Sequence, residues 1–495
     1  MKTLKVGFAA VVLVLAVQAR ADVKLPEVLS DHVVLQRGVP IHLWGWADPG
    51  EAVTVTLEND KASATADKIG VWSVKLPVRP AGGPYTITVA GKNTITLSDV
   101  LVGDVWVASG QSNMEIPMKG FNPQTQIKNA SDEITKANYP QIRLLLIKKN
   151  ASEYPLGDFK DAAAWQVCTP ETVPAFSAVA YFFGREIYET EKVPIGLVDS
   201  TWGGTPAEAW VSLDGLSHSS EALEPVMQAR AADMDAEEAG LLQRAVDAKD
   251  KAAGKTVPGR GADKTISWQP SGLYNAQIAP LTPMPIKGVI WYQGESNAGM
   301  ERASHYESVF ETLIEDWRTK WKQPDMPFLY VQIASYTSGA GWPIVQDQQR
   351  RTLELKNTGM AVANDVGEEH QIHPGDKQTV GHRLALNARA IAYGEDVVHT
   401  GPLFRSATVN GGSITVTFDS AAGLLAPNAP LGGFELAGAD GVFSAAEATI
   451  VGDTVIVKSA AAPNPAFVRY AWASWPKGAN LYNGAGLPTS AFTSQ

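Results

Sequence analysis

From about residue 100 to residue 400, this 495-residue chain alternates short apolar runs with stretches whose apolar residues recur at helical spacing. Asp104-Val105-Trp106-Val107-Ala108 is one apolar run, and Val193-Pro194-Ile195-Gly196-Leu197-Val198 is the next. Gly288 to Tyr292, Phe328 to Ile333 and Met360 to Ala363 follow. Runs of this length without polar alternation read as strands buried on both faces. Between them, Phe176, Val179, Ala180, Phe183 and Ile187 mark one helical stripe, and Tyr306, Val309, Phe310, Leu313, Ile314 and Trp317 mark another. A further helix is expected from near Pro374 to about Tyr393. Parallel strands need long crossover connections, which helices usually supply. The alternation therefore predicts an α/β domain over residues 101–400, with a parallel sheet covered on both faces. Residues 213 to about 265 break the rhythm. They are rich in Ala, Glu, Asp and Lys and poor in large apolar residues, which predicts a partly solvated helical insertion ending in the Gly-rich stretch around Gly259 and Gly261.

Both flanks read as β structure. In residues 22–100, Ile41 to Trp46, Val53 to Leu57, Val71 to Leu76 and Tyr85 to Val89 alternate, with Asp48-Pro49-Gly50 and Gly82-Gly83-Pro84 as turns. Short strands at regular spacing predict a jelly-roll-like β-sandwich region. Residues 401–495 return to strands, such as Ser413 to Phe418 and Thr454 to Val457, and form a C-terminal β region. Residues 1–21 carry Lys2 and Lys5, an apolar stretch from Val6 to Val17, and Ala19-Arg20-Ala21 as a small-x-small cleavage pattern. That is the pattern of a secretory signal peptide, so the mature protein is expected to be exported, periplasmic or extracellular. After its removal no membrane association is expected. The one cysteine, Cys168, rules out an intrachain disulfide, so stability must come from the core.

The net charge of -11 argues against nucleic acid as a partner, because phosphate binding needs a basic surface. None of the eight histidines sits in a metal-ligand spacing, and neither a metal nor a cofactor is expected. What remains is polar chemistry at strand ends. In an open parallel sheet, ligands bind beyond the carboxyl ends of the strands. Four polar segments fall there: Gly110-Gln111-Ser112-Asn113, Ser200 to Thr205, Gln293-Gly294-Glu295-Ser296-Asn297, and the loop from Asp365 to His373. A serine just past a strand, with a glycine behind it, can present its hydroxyl as a nucleophile and its N–H as an oxyanion donor.

Taken in order, Gln111-Ser112-Asn113-Met114, Trp202-Gly203-Gly204-Thr205-Pro206, Trp291-Tyr292-Gln293-Gly294-Glu295-Ser296-Asn297 and Ile372-His373-Pro374 resemble the motifs of the sialate O-acetylesterase family, within the SGNH hydrolase superfamily. The likeness extends to Ser30 to Gln36 and Trp44 to Gly50, and to Val468 to Trp472 and Ala479 to Asn483 in the tail. The resemblance implies an SGNH-like hydrolase that removes acetyl groups from a carbohydrate, with Ser112 as nucleophile and His373 as general base and acid. It implies an oxyanion hole made by the N–H of Ser112, the N–H of Gly204 or Gly203, and an amide side chain, Asn297 or Gln293. Trp202 and Glu295 are candidate substrate-binding residues. The superfamily pattern puts an Asp three residues before the histidine, where this chain has His370. Asp365, which ends a strand, is taken as the third catalytic residue, and a Ser–His dyad oriented by a backbone carbonyl is the alternative. The acetylated sugar is expected to be a sialic acid or a hemicellulose such as xyloglucan or xylan. For a carboxylated sugar, Arg350 or Arg351 would be the partner. The competing reading is a secreted carbohydrate-binding protein that keeps the fold without turnover.

Overall fold

The computed structural model describes residues 22–121, 123–161, 164–252, 266–427 and 430–495. The expected signal peptide, and Gly259 and Gly261, lie outside the described residues. The architecture is mixed α/β. One large sheet has the strand order Thr358–Val362, Phe328–Gln332, Gly288–Tyr292, Thr94–Gly110, Ile195–Thr201, Tyr139–Leu146 and Gln166–Cys168. The first six run parallel, and Gln166–Cys168 closes the edge antiparallel to its neighbour. Every residue of Gly288–Tyr292, Phe328–Gln332 and Ile195–Thr201 is buried, as expected of strands covered on both faces.

The strand Thr94–Gly110 organises the molecule. Its 17 residues span two environments. The first half alternates in burial and pairs antiparallel with Gly82–Ala90, which continues into Ala52–Leu57 and Asp60–Thr65. The second half is wholly buried and lies between Ile195–Thr201 and Gly288–Tyr292. Asp104 sits where the two halves meet. Its buried carboxylate accepts from Arg37 Nε and Nη2 at 2.9 and 2.8 Å, from Gln36 Nε2 at 3.0 Å and from the Tyr393 hydroxyl at 3.0 Å. A buried carboxylate persists only when it is this fully hydrogen-bonded. The amino-terminal β region and the α/β region share one continuous hydrophobic core across this strand.

Residues from 403 onward build a second core. Two four-stranded sheets enclose Ile414, Val416, Val455, Val457, Leu436, Val468 and Phe492. Between Thr201 and Gly288 the chain leaves the sheet. Leu213–His218 and the 33-residue helix Ser220–Ala252 occupy most of that excursion.

Three elements were not visible in the sequence pattern. Tyr139–Leu146 begins with Tyr139-Pro140 and lacks both alternation and a clean apolar run. Gln166–Cys168 has three residues, too few for any period. Gly341–Arg351 carries six polar side chains at its end and one proline near its start, which hides its buried face of Trp342, Val345, Gln346 and Gln349.

Candidate active site

All four polar segments emerge at carboxyl ends of the parallel strands. Gly110, Thr201 and Tyr292 are register partners at the ends of three adjacent strands. Gly110 has φ +127°, and a Cβ there would lie 2.2 Å from the Tyr292 carbonyl oxygen. Only glycine allows this approach. The chain then turns into the four-residue helix Ser112–Glu115, which begins with the serine itself.

Ser112 Oγ and His373 Nε2 are 2.8 Å apart, although 261 positions separate them in the chain. The histidine arrives on the loop that follows Thr358–Val362, just ahead of the helix Lys377–Ile391. Its ring meets the edge of Phe121 at a centroid distance of 6.2 Å. Burial, reinforced by the nearby positive charge of Lys377, pushes the imidazole pKa down from 6.5 to about 4. His373 is therefore neutral at physiological pH and able to accept a proton from a serine hydroxyl.

The Gly203-Gly204 turn packs directly on Ser112. A Cβ on Gly203 would stand 3.1 Å from Ser112 Cβ. The Gly203 N–H donates to Glu115 Oε2 at 2.5 Å, and Glu115 Oε1 accepts from Lys149 Nζ. Gly204 is exposed at φ +74°. Among the described residues no hydrogen bond consumes the N–H of Gly204 or of Ser112. Of the two glycines, Gly204 thus retains the available donor. Trp202 is half-buried beside this turn, with Lys149 Nζ 5.9 Å from its ring centre.

Of the amide candidates, Gln293 has both amide hydrogens committed to framework, and Asn297 has one committed. Gln293 is fully buried and spends Nε2 on the Thr205 carbonyl at 3.1 Å and on Asn297 Oδ1 at 2.7 Å. Asn297 accepts from the Ala207 N–H at 2.9 Å and donates to Glu208 Oε2 at 2.9 Å. This lattice holds the Thr205–Trp210 segment under the glycine turn.

Asp365 is not brought to His373. Its carboxylate takes two hydrogen bonds from Arg383, at 2.6 and 2.8 Å, and one from the Tyr482 hydroxyl at 3.3 Å. Among the described residues no carboxylate is hydrogen-bonded to His373. Arg350 and Arg351 both pair with Asp347 on their own helix.

Beneath the pair lie Asn113 and Lys377, to which sequence reasoning gave no role, together with Glu295, expected there as a substrate-binding residue. Asn113, 1 % exposed, donates to Glu295 Oε1 at 2.6 Å and to the carbonyl of Ile372 at 3.0 Å. Its Oδ1 accepts from Lys377 Nζ at 2.5 Å. Lys377 is completely buried, with its ammonium 5.4 Å from the Tyr292 ring centre. Burial lowers its pKa to about 7 against the pull of Glu295. Burial also raises the Glu295 pKa, and its second oxygen has no partner. Asn113 thus bridges a buried cation and a buried carboxyl while fixing the backbone next to His373. A signal for Lys377 was present: a lysine in the first turn of a helix opposes the macrodipole, so it needs a reason to be there.

A profile for the family described as carbohydrate esterase, sialic acid-specific acetylesterase matches residues 242–390. The sialate O-acetylesterase of Mus musculus is 34% identical over 467 residues, spanning 83% of this chain and 82% of that protein. That of Homo sapiens is 34% identical over 418 residues, spanning 76% and 72%. The chain belongs to the sialate O-acetylesterase family. A crystal structure of a carbohydrate acetylesterase from Xanthomonas citri is similar over 96% of this chain and 99% of its own, with 37% identity and a TM-score of 0.83. As a member of this family the protein is a carboxylic ester hydrolase of the carbohydrate O-acetylesterase type. The Ser112–His373 pair is the part of its structure suited to ester chemistry.

Proposed function

We propose that the protein removes acetyl groups from an acetylated carbohydrate by serine nucleophilic catalysis through an acetyl-enzyme. Ser112 Oγ attacks the acetyl carbonyl as His373 Nε2 takes its proton. The carbonyl oxygen becomes an oxyanion, met by the N–H groups of Ser112 and Gly204. Collapse expels the sugar oxygen, which receives the proton from His373. Water, deprotonated by the same imidazole, then releases acetate and restores Ser112. Asn113 positions the histidine through the Ile372 carbonyl, so the site works as a Ser–His pair without a carboxylate on the imidazole.

The observation that carries this reading is the 2.8 Å separation of Ser112 Oγ and His373 Nε2 in a chain of an acetylesterase family. Acetate release from acetylated xylan, xyloglucan and sialic acids tests it. Wild-type protein releases acetate from at least one, and Ser112→Ala loses at least about 10,000-fold in kcat. Equal rates for the two proteins would remove Ser112 from the mechanism. No release from any acetyl ester would favour the non-catalytic carbohydrate-binding alternative.

A further inference from the structure

A second cavity, of about 360 Å³, lies where the C-terminal β region meets the loops above the sheet. Its walls include Trp475, Tyr482, Asn364, Asp365, Ser335 and Thr489. The two regions are tied firmly around it. The Tyr336 N–H donates to the Ser474 carbonyl at 2.8 Å, Asn364 Nδ2 to the Thr489 carbonyl at 3.0 Å, and the Tyr482 hydroxyl to Asp365. A cavity that survives inside so well bonded a junction is not a loose seam.

Three features describe what would fill it. Trp475 and Tyr482 are half-buried and offer aromatic surface beside polar groups, the combination that suits a sugar ring with its apolar faces and hydroxyl edges. Ser335 and Thr489, at 1 % and 0 % exposure, back the lining with hydroxyl-bearing side chains that make it polar between the aromatic rings. The charges nearby are already matched, Arg383 with Asp365 and Lys477 with Glu369. Among the described residues lining the cavity the charged ones are Asp365 and the largely exposed Lys477, so the wall carries no net positive charge for a carboxylated sugar and suits a neutral one.

The location is equally specific. Ser335 follows the strand Phe328–Gln332, and Asn364 follows Thr358–Val362. These are the second and third strands out from the one that delivers Ser112. At about 4.8 Å per strand, the cavity lies roughly 10–15 Å along the same carboxyl edge. One loop joins the two places, with Asp365 at the cavity and His373 at the serine.

We propose that this cavity is a remote subsite for a neutral sugar unit of the same polysaccharide chain whose acetyl group is presented to Ser112. This rests on the esterase reading above and deepens it, because a monosaccharide cannot reach both places and an oligosaccharide can. The substrate class is then an acetylated neutral polysaccharide.

Two measurements test it. In the first, kcat/KM is compared for acetylated xylo-oligosaccharides, acetylated xyloglucan oligosaccharides and para-nitrophenyl acetate. For the better oligosaccharide series, the value should rise with chain length, and the ratio of long oligosaccharide to small ester should fall about tenfold in Trp475→Ala, a loss typical of one aromatic contact. Ala479→Phe, which adds bulk at another residue of the lining, should lower the same ratio. No chain-length gain in either series, or a ratio unchanged in both variants, overturns the subsite. In the second, unacetylated oligosaccharides of both series are titrated calorimetrically into Ser112→Ala protein. Binding by at least one, weakened by Ala479→Phe, is expected and does not depend on turnover. Binding of neither, or binding indifferent to the filled cavity, overturns the subsite even if the esterase reading stands. Ligand binding in a protein that hydrolyses no acetyl ester would instead overturn the esterase reading alone.

Discussion

The acid limit of activity should lie far below the usual range for a histidine base. An imidazole in water has a pKa near 6.5, and burial with the neighbouring Lys377 charge holds that of His373 at about 4. The profile of kcat/KM reports the free enzyme, where this value applies. At pH 5.5, a base of pKa 4 is ~97 % neutral and one of pKa 6.5 only ~9 %, a roughly tenfold difference in competent enzyme. Acetate release measured under kcat/KM conditions from pH 3.5 to 8 should therefore be nearly flat down to about pH 5 and fall through pH 4. The sign for stability follows from the same shift. Between pH 6.5 and 4 the unfolded chain protonates this imidazole and the folded chain does not, so its contribution is complete above 6.5 and is lost as pH falls toward 4. Lys377→Met gives a second arm. Removing the cation relieves part of the depression, so the acid limb should move upward. A wild-type limb at 6.5, or a limb that does not move in Lys377→Met, would refute the assignment of His373 as a desolvated base beside a buried cation.

Three substitutions probe the rest of the framework. Asp365→Asn should cost less than about tenfold in kcat/KM on para-nitrophenyl acetate, against the roughly 10,000-fold expected of a triad acid, while unpairing Arg383 lowers the unfolding free energy by about 1–3 kcal/mol. Gly110→Ala forces a Cβ against the Tyr292 carbonyl at a positive φ, so kcat/KM should drop at least about 100-fold as Ser112 is displaced, with a lower Tm in calorimetry. Asn113→Ala leaves Lys377 and Glu295 buried without their bridge, and should cost about 2–4 kcal/mol in denaturant unfolding and lower kcat more than it changes KM.

The alternation of buried strands and helical stripes made the parallel sheet legible, because a strand covered on both faces leaves an apolar run that no other element needs. The same logic put the segments that carry Ser112, Gly204 and His373 on one sheet edge, since strand ends in such a sheet converge there. It failed at Asp365 for a definite reason. Being at a strand end puts a carboxylate on the right edge but does not say which way it points, and Arg383, 18 residues later, turns it toward Tyr482. Gln293 failed similarly, both hydrogens of its amide being spent on the framework that also holds Asn297. Their motif marks a buried lattice, and a sequence does not distinguish an amide that holds a loop from one that meets a substrate. The strand Thr94–Gly110 shows a further limit: a change of pattern near residue 100 reads as a boundary, yet one strand carries the chain across it unbroken.

If His373 is the base, as proposed, it works without a carboxylate partner, and its surroundings say how. A triad acid orients the imidazole and stabilises its cation. Here orientation comes through the backbone, because Asn113 clamps the Ile372 carbonyl while itself held between Lys377 and Glu295. Nothing in that clamp stabilises an imidazolium, and the Lys377 charge opposes it. The free enzyme therefore keeps its histidine neutral at the expense of basicity. In the proposed mechanism the missing negative charge arrives with the reaction, since the oxyanion formed on the acetyl carbonyl would lie in the same desolvated site as the proton transferred to His373. Such an arrangement favours the ion pair of the transition state over any charged ground state, which is where an enzyme gains rate. On this proposal the proton transfer and the oxyanion donors of Ser112 and Gly204 are coupled, so that weakening one should weaken the other.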